Sequence, residues 1–179
     1  MFDAIVLTVP GLGGSGPQHW QSLWESRDPR IRRVNQRDWD RPDRAEWIEA
    51  LDRAVGANAG QIVVAAHSLS CALVAHWAAE SGKRLRGALL VSPSDVDSDT
   101  HTPPETWVFR PMPTSRLPFP SIVIASRDDP YVDFRRAQAL ADSWGSRFAD
   151  AGAVGHINTA SNLGDWPFGK ALLDELTAS

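Results

Sequence analysis

Short, unbroken apolar runs alternate along this chain with segments whose apolar residues recur every three or four positions. Ala4–Val9, Ile62–Ala66, Gly87–Val91 and Ile122–Ala125 are runs of the first kind, the pattern of strands buried on both faces of a parallel sheet. Ile31–Asn35 and Arg147–Ala151 are weaker runs, expected nearer the sheet edges. The segments between read as helices. Asp43 is placed to cap one, with Glu46 completing a capping box; Trp47, Ile48, Leu51, Ala54 and Val55 then share a face, and Gly56 ends it. Asp133 caps another, whose stripe is Phe134, Ala137, Leu140, Ala141 and Trp144. Gly82 closes a helix that begins near Ser68, and Pro17 and Pro167 each suit the first turn of a helix.

A βαβαβ order of this kind predicts an α/β fold. We expect three αβα layers around a parallel sheet of about six strands, joined by right-handed crossovers. The 179 residues fit a single domain, 1–179. Ser92–Pro120 is the one long irregular stretch. It is too short for a large cap domain and long enough to be a loop over an active site. In such sheets, ligands bind beyond the carboxyl ends of the strands, where the strand order reverses. Chemistry is therefore sought just after strands.

Three candidates stand there in order. Ser68, in Ala66-His67-Ser68-Leu69-Ser70, falls on a strand-to-helix turn, the place of a nucleophile elbow, although Ala66 and Ser70 replace the usual glycines. Asp129, in Arg127-Asp128-Asp129-Pro130, follows a late strand on a turn fixed by proline; Asp128 and the remoter Asp95 are its rivals. His156 follows Gly155 after the last weak strand. A serine hydroxyl is a poor nucleophile until a neutral imidazole can take its proton, and a carboxylate must orient that imidazole. Each signal alone has a bland reading: a helix cap, an Asp-Pro turn, a loop histidine. Their conjunction points to a Ser68–Asp129–His156 triad.

Pro10-Gly11-Leu12-Gly13-Gly14-Ser15-Gly16 follows the first strand, and its glycines let backbone N–H groups approach an oxyanion. Leu69 and Leu12 are the expected oxyanion donors. His19 could face the site, and Trp107 and Phe109 in the Pro-rich loop are candidates for a substrate pocket. The same loop supports a competing reading. Gly11-x-Gly13-x-x-Gly16 matches a dinucleotide fingerprint, with Asp38 where a ribose-binding acid would lie, which would make the chain an NAD(P)-binding oxidoreductase. A third reading, encouraged by the missing elbow glycines, is a catalytically weak protein-binding module on the same fold.

Composition narrows the partners. The net charge is −4 and arginines are scattered, without the dense basic patch that nucleic acid or an anionic membrane needs. Cys71 is the one cysteine, so no intrachain disulfide forms, which fits a reducing compartment. Ala4–Val9 has neither a basic region before it nor a cleavage site after it, and no run is long enough to span a membrane. The expectation is a cytoplasmic enzyme acting on a small ester or amide, without cofactor. No cluster has metal-ligand spacing, so no metal is expected. Nothing points to a protein partner. Most of the eight tryptophans read as core.

The sequence also resembles the retinoblastoma-binding protein 9/YdeN-like family of small serine hydrolases. The resemblance rests on Pro10-Gly11 through Gly14, His19-Trp20-Gln21-Ser22-x-Trp24-Glu25, Gln36-x-Asp38-Trp39, His67-Ser68-Leu69, Ser126-x-Asp128-Asp129-Pro130-Tyr131 and Gly155-His156-Ile157-Asn158. It spans nearly the whole chain. It implies a compact α/β-hydrolase core, a triad at Ser68, Asp129 and His156, and esterase or amidase activity. The usual elbow there is G-H-S-x-G, from which Ala66 and Ser70 depart.

Overall fold

The computed structural model describes residues 4–57 and 61–178. Its sheet has six parallel strands: β1 (Ile5–Val9), β2 (Ile31–Arg33), β3 (Ile62–His67), β4 (Gly87–Val91), β5 (Ser121–Ala125) and β6 (Arg147–Asp150), in the order β2-β1-β3-β4-β5-β6. The two weak sequence runs are the edge strands. The chain order reverses between β1 and β3, which pair directly from Ile5↔Ile62 to Val9↔Ala66. The loops that leave these two strands therefore lie side by side at the carboxyl end of the sheet.

The helices are α1 (Trp20–Arg27), α2 (Arg44–Gly56), α3 (Leu69–Glu80), α4 (Phe134–Trp144) and α5 (Pro167–Ala178). Alternate residues of each central strand feed two cores. Val64, Ala66, Leu90 and Val123 pack with Trp47 and Leu51 of α2, with α3, and with Leu140 and Trp144 of α4. Val63, Ala65, Leu89 and Ile122 pack on the other face with Trp20 and Trp24 of α1, Trp166, and Leu173 and Leu176 of α5. Covering both faces is why the strands are apolar throughout rather than alternating. Every residue of α3 from Leu69 to Trp77 is buried, so this central helix is covered all round.

Several local expectations are corrected. Asp43 caps α2 through Glu46 N–H, but no reciprocal box forms, because the Glu46 carboxylate is taken by Arg37 at 2.9 Å. Gly56 is the last residue of α2 rather than its stop, and α3 ends at Glu80, before Gly82. Pro17 lies in the turn ahead of α1, whose cap is His19; Pro167 does open α5. Gly145, at φ +68°, ends α4 in the left-handed conformation that glycine adopts without cost. The Pro-rich stretch carries one 3₁₀ segment, Pro104–Phe109.

Candidate active site

The turn from β3 into α3 places Ser68 at φ 59°, ψ −123°. A non-glycine residue in this region costs about 1–3 kcal/mol, so its surroundings must hold it there. Ser68 N–H donates to the Val91 carbonyl at 2.9 Å and Cys71 N–H donates to the Ser68 carbonyl at 3.0 Å. On the far side stands Gly11, where a Cβ would lie 2.9 Å from both the His67 carbonyl oxygen and Ser68 Cβ. Backbone is thus packed on backbone where the glycine loop meets the elbow. Ser70, in a position where the usual elbow has glycine, is fully buried, and its hydroxyl donates to the Pro10 carbonyl at 2.6 Å. The substitution ties the start of α3 to the end of β1.

Around Ser68 the three candidates meet. His156 Nε2 is 2.8 Å from Ser68 Oγ, and His156 Nδ1 is 2.9 Å from both carboxylate oxygens of Asp129. Asp129 Oδ1 also accepts from Tyr131 N–H at 2.9 Å. Asp128 points elsewhere: its Oδ1 accepts from Ser126 Oγ and from Gly155 N–H, each at 2.8 Å. Asp95 pairs with Arg136 at 3.2 Å. The histidine loop turns sharply on both sides of His156, with Gly155 at φ 65° and Ile157 at φ 48°. It is anchored by Asp128, by His67 Nε2–H donating to the His156 carbonyl at 2.9 Å, and by the Trp20 indole donating to the Ile157 carbonyl at 2.9 Å.

Three imidazoles cluster here. The His67 ring centroid lies 4.7 Å from that of His19 and 4.8 Å from that of His156. Burial drives the His67 pKa well below its usual range, and the neighbouring histidines add to this. Burial, then Arg33, then His156 lower His19 to about 4. Both stay neutral near pH 7. His19 Nδ1 accepts from Gln21 N–H at 3.2 Å, so the proton of its neutral ring sits on Nε2. Cys71 is buried and unpaired, and burial raises its thiol far above the usual range, which leaves it unreactive.

Ser68, His156, Leu12 and His19 line a cavity of about 250 Å³, together with Ser94, Thr102, Thr106 and Tyr131. Leu12 reaches this lining from the loop after β1, while Leu69, next to Ser68, is the first residue of α3 and is not part of it. Trp107 and Phe109 are not in this lining. Phe109 is fully buried in the core against Trp47 and His76. Trp107 donates its indole N–H to the Thr102 carbonyl at 3.2 Å and carries the Arg110 guanidinium over its ring. The Pro-rich loop reaches the cavity instead through Pro103 and the small polar side chains of Ser94, Thr102 and Thr106, which aromatic content does not flag. A larger cavity of about 450 Å³ opens at the opposite ends of the strands, among Val6, Arg30, Arg86 and Leu173, and among the described residues its lining holds no serine, cysteine or histidine.

The glycine loop has a different layout from a dinucleotide cradle. Gly13 N–H donates to the Trp39 carbonyl at 2.8 Å and Gly14 N–H to the Gly11 carbonyl at 3.0 Å. The Trp39 ring lies against Gly14, and α1 starts only at Trp20. Asp38 binds Asp40 N–H and Arg41 N–H, closing its own turn. Among the described residues, no group of three His, Cys, Asp or Glu could hold a metal ion, and no helix is long and apolar enough to cross a membrane.

A family model described as serine hydrolase matches residues 6–175. Among solved structures, the chain is similar to a putative YdeN-like hydrolase from Pectobacterium atrosepticum, at 31% identity and a TM-score of 0.87, covering 98% of this chain and 91% of that one. It is also similar to the ydeN gene product of B. subtilis, at 19% identity and a TM-score of 0.79, covering 98% and 100%. Est1E from Butyrivibrio proteoclasticus shares the fold at 12% identity and a TM-score of 0.71, covering 99% and 89%. A search of curated proteins gave no match.

Proposed function

We infer that this chain, which belongs to the serine hydrolase family, cleaves a small carboxylic ester or amide through an acyl intermediate on Ser68. The observation that carries this reading is the unbroken relay from the Asp129 carboxylate through His156 to Ser68 Oγ, with both links at 2.8–2.9 Å. As Ser68 Oγ attacks the carbonyl carbon, its proton passes to His156 Nε2. The Asp129 carboxylate holds the ring through Nδ1–H and stabilises the imidazolium that forms. The oxyanion meets the N–H groups of Leu12 and Leu69. His156 then protonates the leaving group, and a water deprotonated by the same ring releases the acid. His156 is the imidazole of the cluster whose Nε2 meets Ser68 Oγ, at 2.8 Å, while burial keeps His19 and His67 neutral. A cavity of about 250 Å³ favours a short acyl group.

The test is labelling with a fluorophosphonate probe, together with hydrolysis of p-nitrophenyl acetate. The probe should modify Ser68, and Ser68→Ala should abolish labelling and lower kcat by roughly 10⁴- to 10⁶-fold. Hydrolysis that continues unchanged in Ser68→Ala would overturn the assignment.

A further inference from the structure

We propose that Ser94 is a further catalytic residue: its hydroxyl donates a hydrogen bond to Ser68 Oγ and stabilises the charge this atom carries in both halves of the reaction. The proposal rests on the serine hydrolase reading above. Ser94 lies in the loop after β4, is 3% exposed, lines the same cavity as Ser68, and has its Oγ 2.8 Å from Ser68 Oγ.

Counting protons fixes the direction of that bond. The Asp129 carboxylate can only accept, so His156 Nδ1 carries a proton. The neutral ring that a general base requires then presents Nε2 as an acceptor, and the single Ser68 proton points to it at 2.8 Å. Ser68 has no second proton to give, so the bond between the two serines is donated by Ser94. The donor is held on a fixed scaffold. Asp95 N–H donates to the Tyr131 carbonyl at 3.0 Å, and Thr102 Oγ1 donates to the Asp95 carbonyl at 3.1 Å. The Asp95 carboxylate takes Arg136 at 3.2 Å. Ser94 is thereby tied to the segment that carries Asp129.

A hydrogen bond to a charged acceptor is roughly twice as strong as one to a neutral acceptor. Ser68 Oγ is a neutral hydroxyl in the resting enzyme. It gains negative charge as His156 removes its proton, and becomes a weakly accepting ester oxygen in the acyl-enzyme. It gains charge again as the C–O bond to the acyl group breaks in deacylation. The Ser94 proton stays on Ser94 throughout. Its bond is strongest in the two transition states, so it accelerates acylation and deacylation together. When both rate constants change by one factor, kcat changes and KM does not.

Pre-steady-state and steady-state hydrolysis of p-nitrophenyl acetate and p-nitrophenyl butyrate test this in the wild type, Ser94→Ala and Ser94→Cys. Ser94→Ala should lower the burst rate constant and kcat alike, by about 10- to 100-fold, from the loss of one charge-assisted bond. KM should stay unchanged and the factor should be the same for both esters. Ser94→Cys, a weak donor of similar volume, should fall between wild type and Ser94→Ala even if the alanine variant folds poorly. Wild-type rates in either variant overturn the proposal. A loss confined to KM, or one that differs between the two esters, also overturns it, because the hydroxyl would then serve the substrate rather than the nucleophile. Wild-type hydrolysis that does not depend on Ser68 removes the serine hydrolase reading itself, and this inference with it; an active, Ser68-dependent enzyme indifferent to Ser94 removes the inference alone.

Discussion

Asp128 and Asp129 are adjacent acids with different tasks, and their difference is measurable. Asp129 meets His156 Nδ1 with both oxygens at 2.9 Å. Asparagine there keeps the shape but offers an amide N–H that favours the wrong tautomer, so Asp129→Asn should lower kcat by roughly 10⁴-fold with little change in melting temperature. Asp128 uses one oxygen to accept from both Ser126 and Gly155. The Asn carbonyl can accept the same two bonds, so Asp128→Asn should keep most activity. Asp128→Ala removes both and frees the loop that carries His156, so it should lose activity and stability together. Steady-state kinetics and thermal melts on the three variants check this. A dead Asp128→Asn beside an active Asp129→Asn would reverse the two roles.

The elements bring these side chains together by close backbone approach. Gly11 follows β1 and sits against the β3–α3 turn, where a Cβ would press on the His67 carbonyl oxygen and Ser68 Cβ at 2.9 Å. Neither is the loose end of a flexible side chain. Gly11→Ala should therefore cost about 1–3 kcal/mol of overpacking and displace the loop that carries the Leu12 N–H, lowering both the urea midpoint and kcat. Wild-type values for both would show that the loop yields freely. On the same contact, Ser70→Ala strands the buried Pro10 carbonyl and should cost about 1–3 kcal/mol in urea denaturation. An unchanged midpoint would mean another donor reaches that carbonyl. Ser70 thus does in this chain what a small elbow residue must do sterically, and adds a bond that glycine cannot make.

For the whole molecule, the buried histidines set a pH limit on stability. His19 has a folded pKa near 4 against an ordinary value of 6.5, so between those values the unfolded chain binds more protons than the folded one. Stability is therefore fully present above about pH 6.5 and lost as the pH falls toward about 4, on the order of 3 kcal/mol for this residue. His67, depressed in the same direction by deeper burial, adds to the loss. Asparagine at position 19 can still cap α1 by accepting from Gln21 N–H, and it does not titrate. The urea midpoint of His19→Asn should fall less steeply than wild type between pH 6.5 and 4. Equal slopes would mean that His19 titrates normally in the folded protein.

The sequence by itself determined the α/β layout, because unbroken apolar runs such as Ile62–Ala66 are stable only between two helical layers. It also put Ser68, Asp129 and His156 at one end of the sheet, where their side chains meet, because residues just after parallel strands share that end whatever the details of packing. Other features only the tertiary structure decided. Ser94 meets Ser68 across 26 residues and carries no local signal, and Asp128, flagged beside Asp129, turns instead to Gly155, 27 residues on. Phe109 and Trp107 read as pocket candidates, and the path of the Pro-rich loop instead puts Phe109 in the core and Trp107 against Thr102 and Arg110. Glu46 left its capping box for Arg37, nine residues away, since an exposed carboxylate takes whichever donor the fold brings near. Periodicity reports which face of an element is apolar. Which loop residues face one another depends on the closing of the whole sheet.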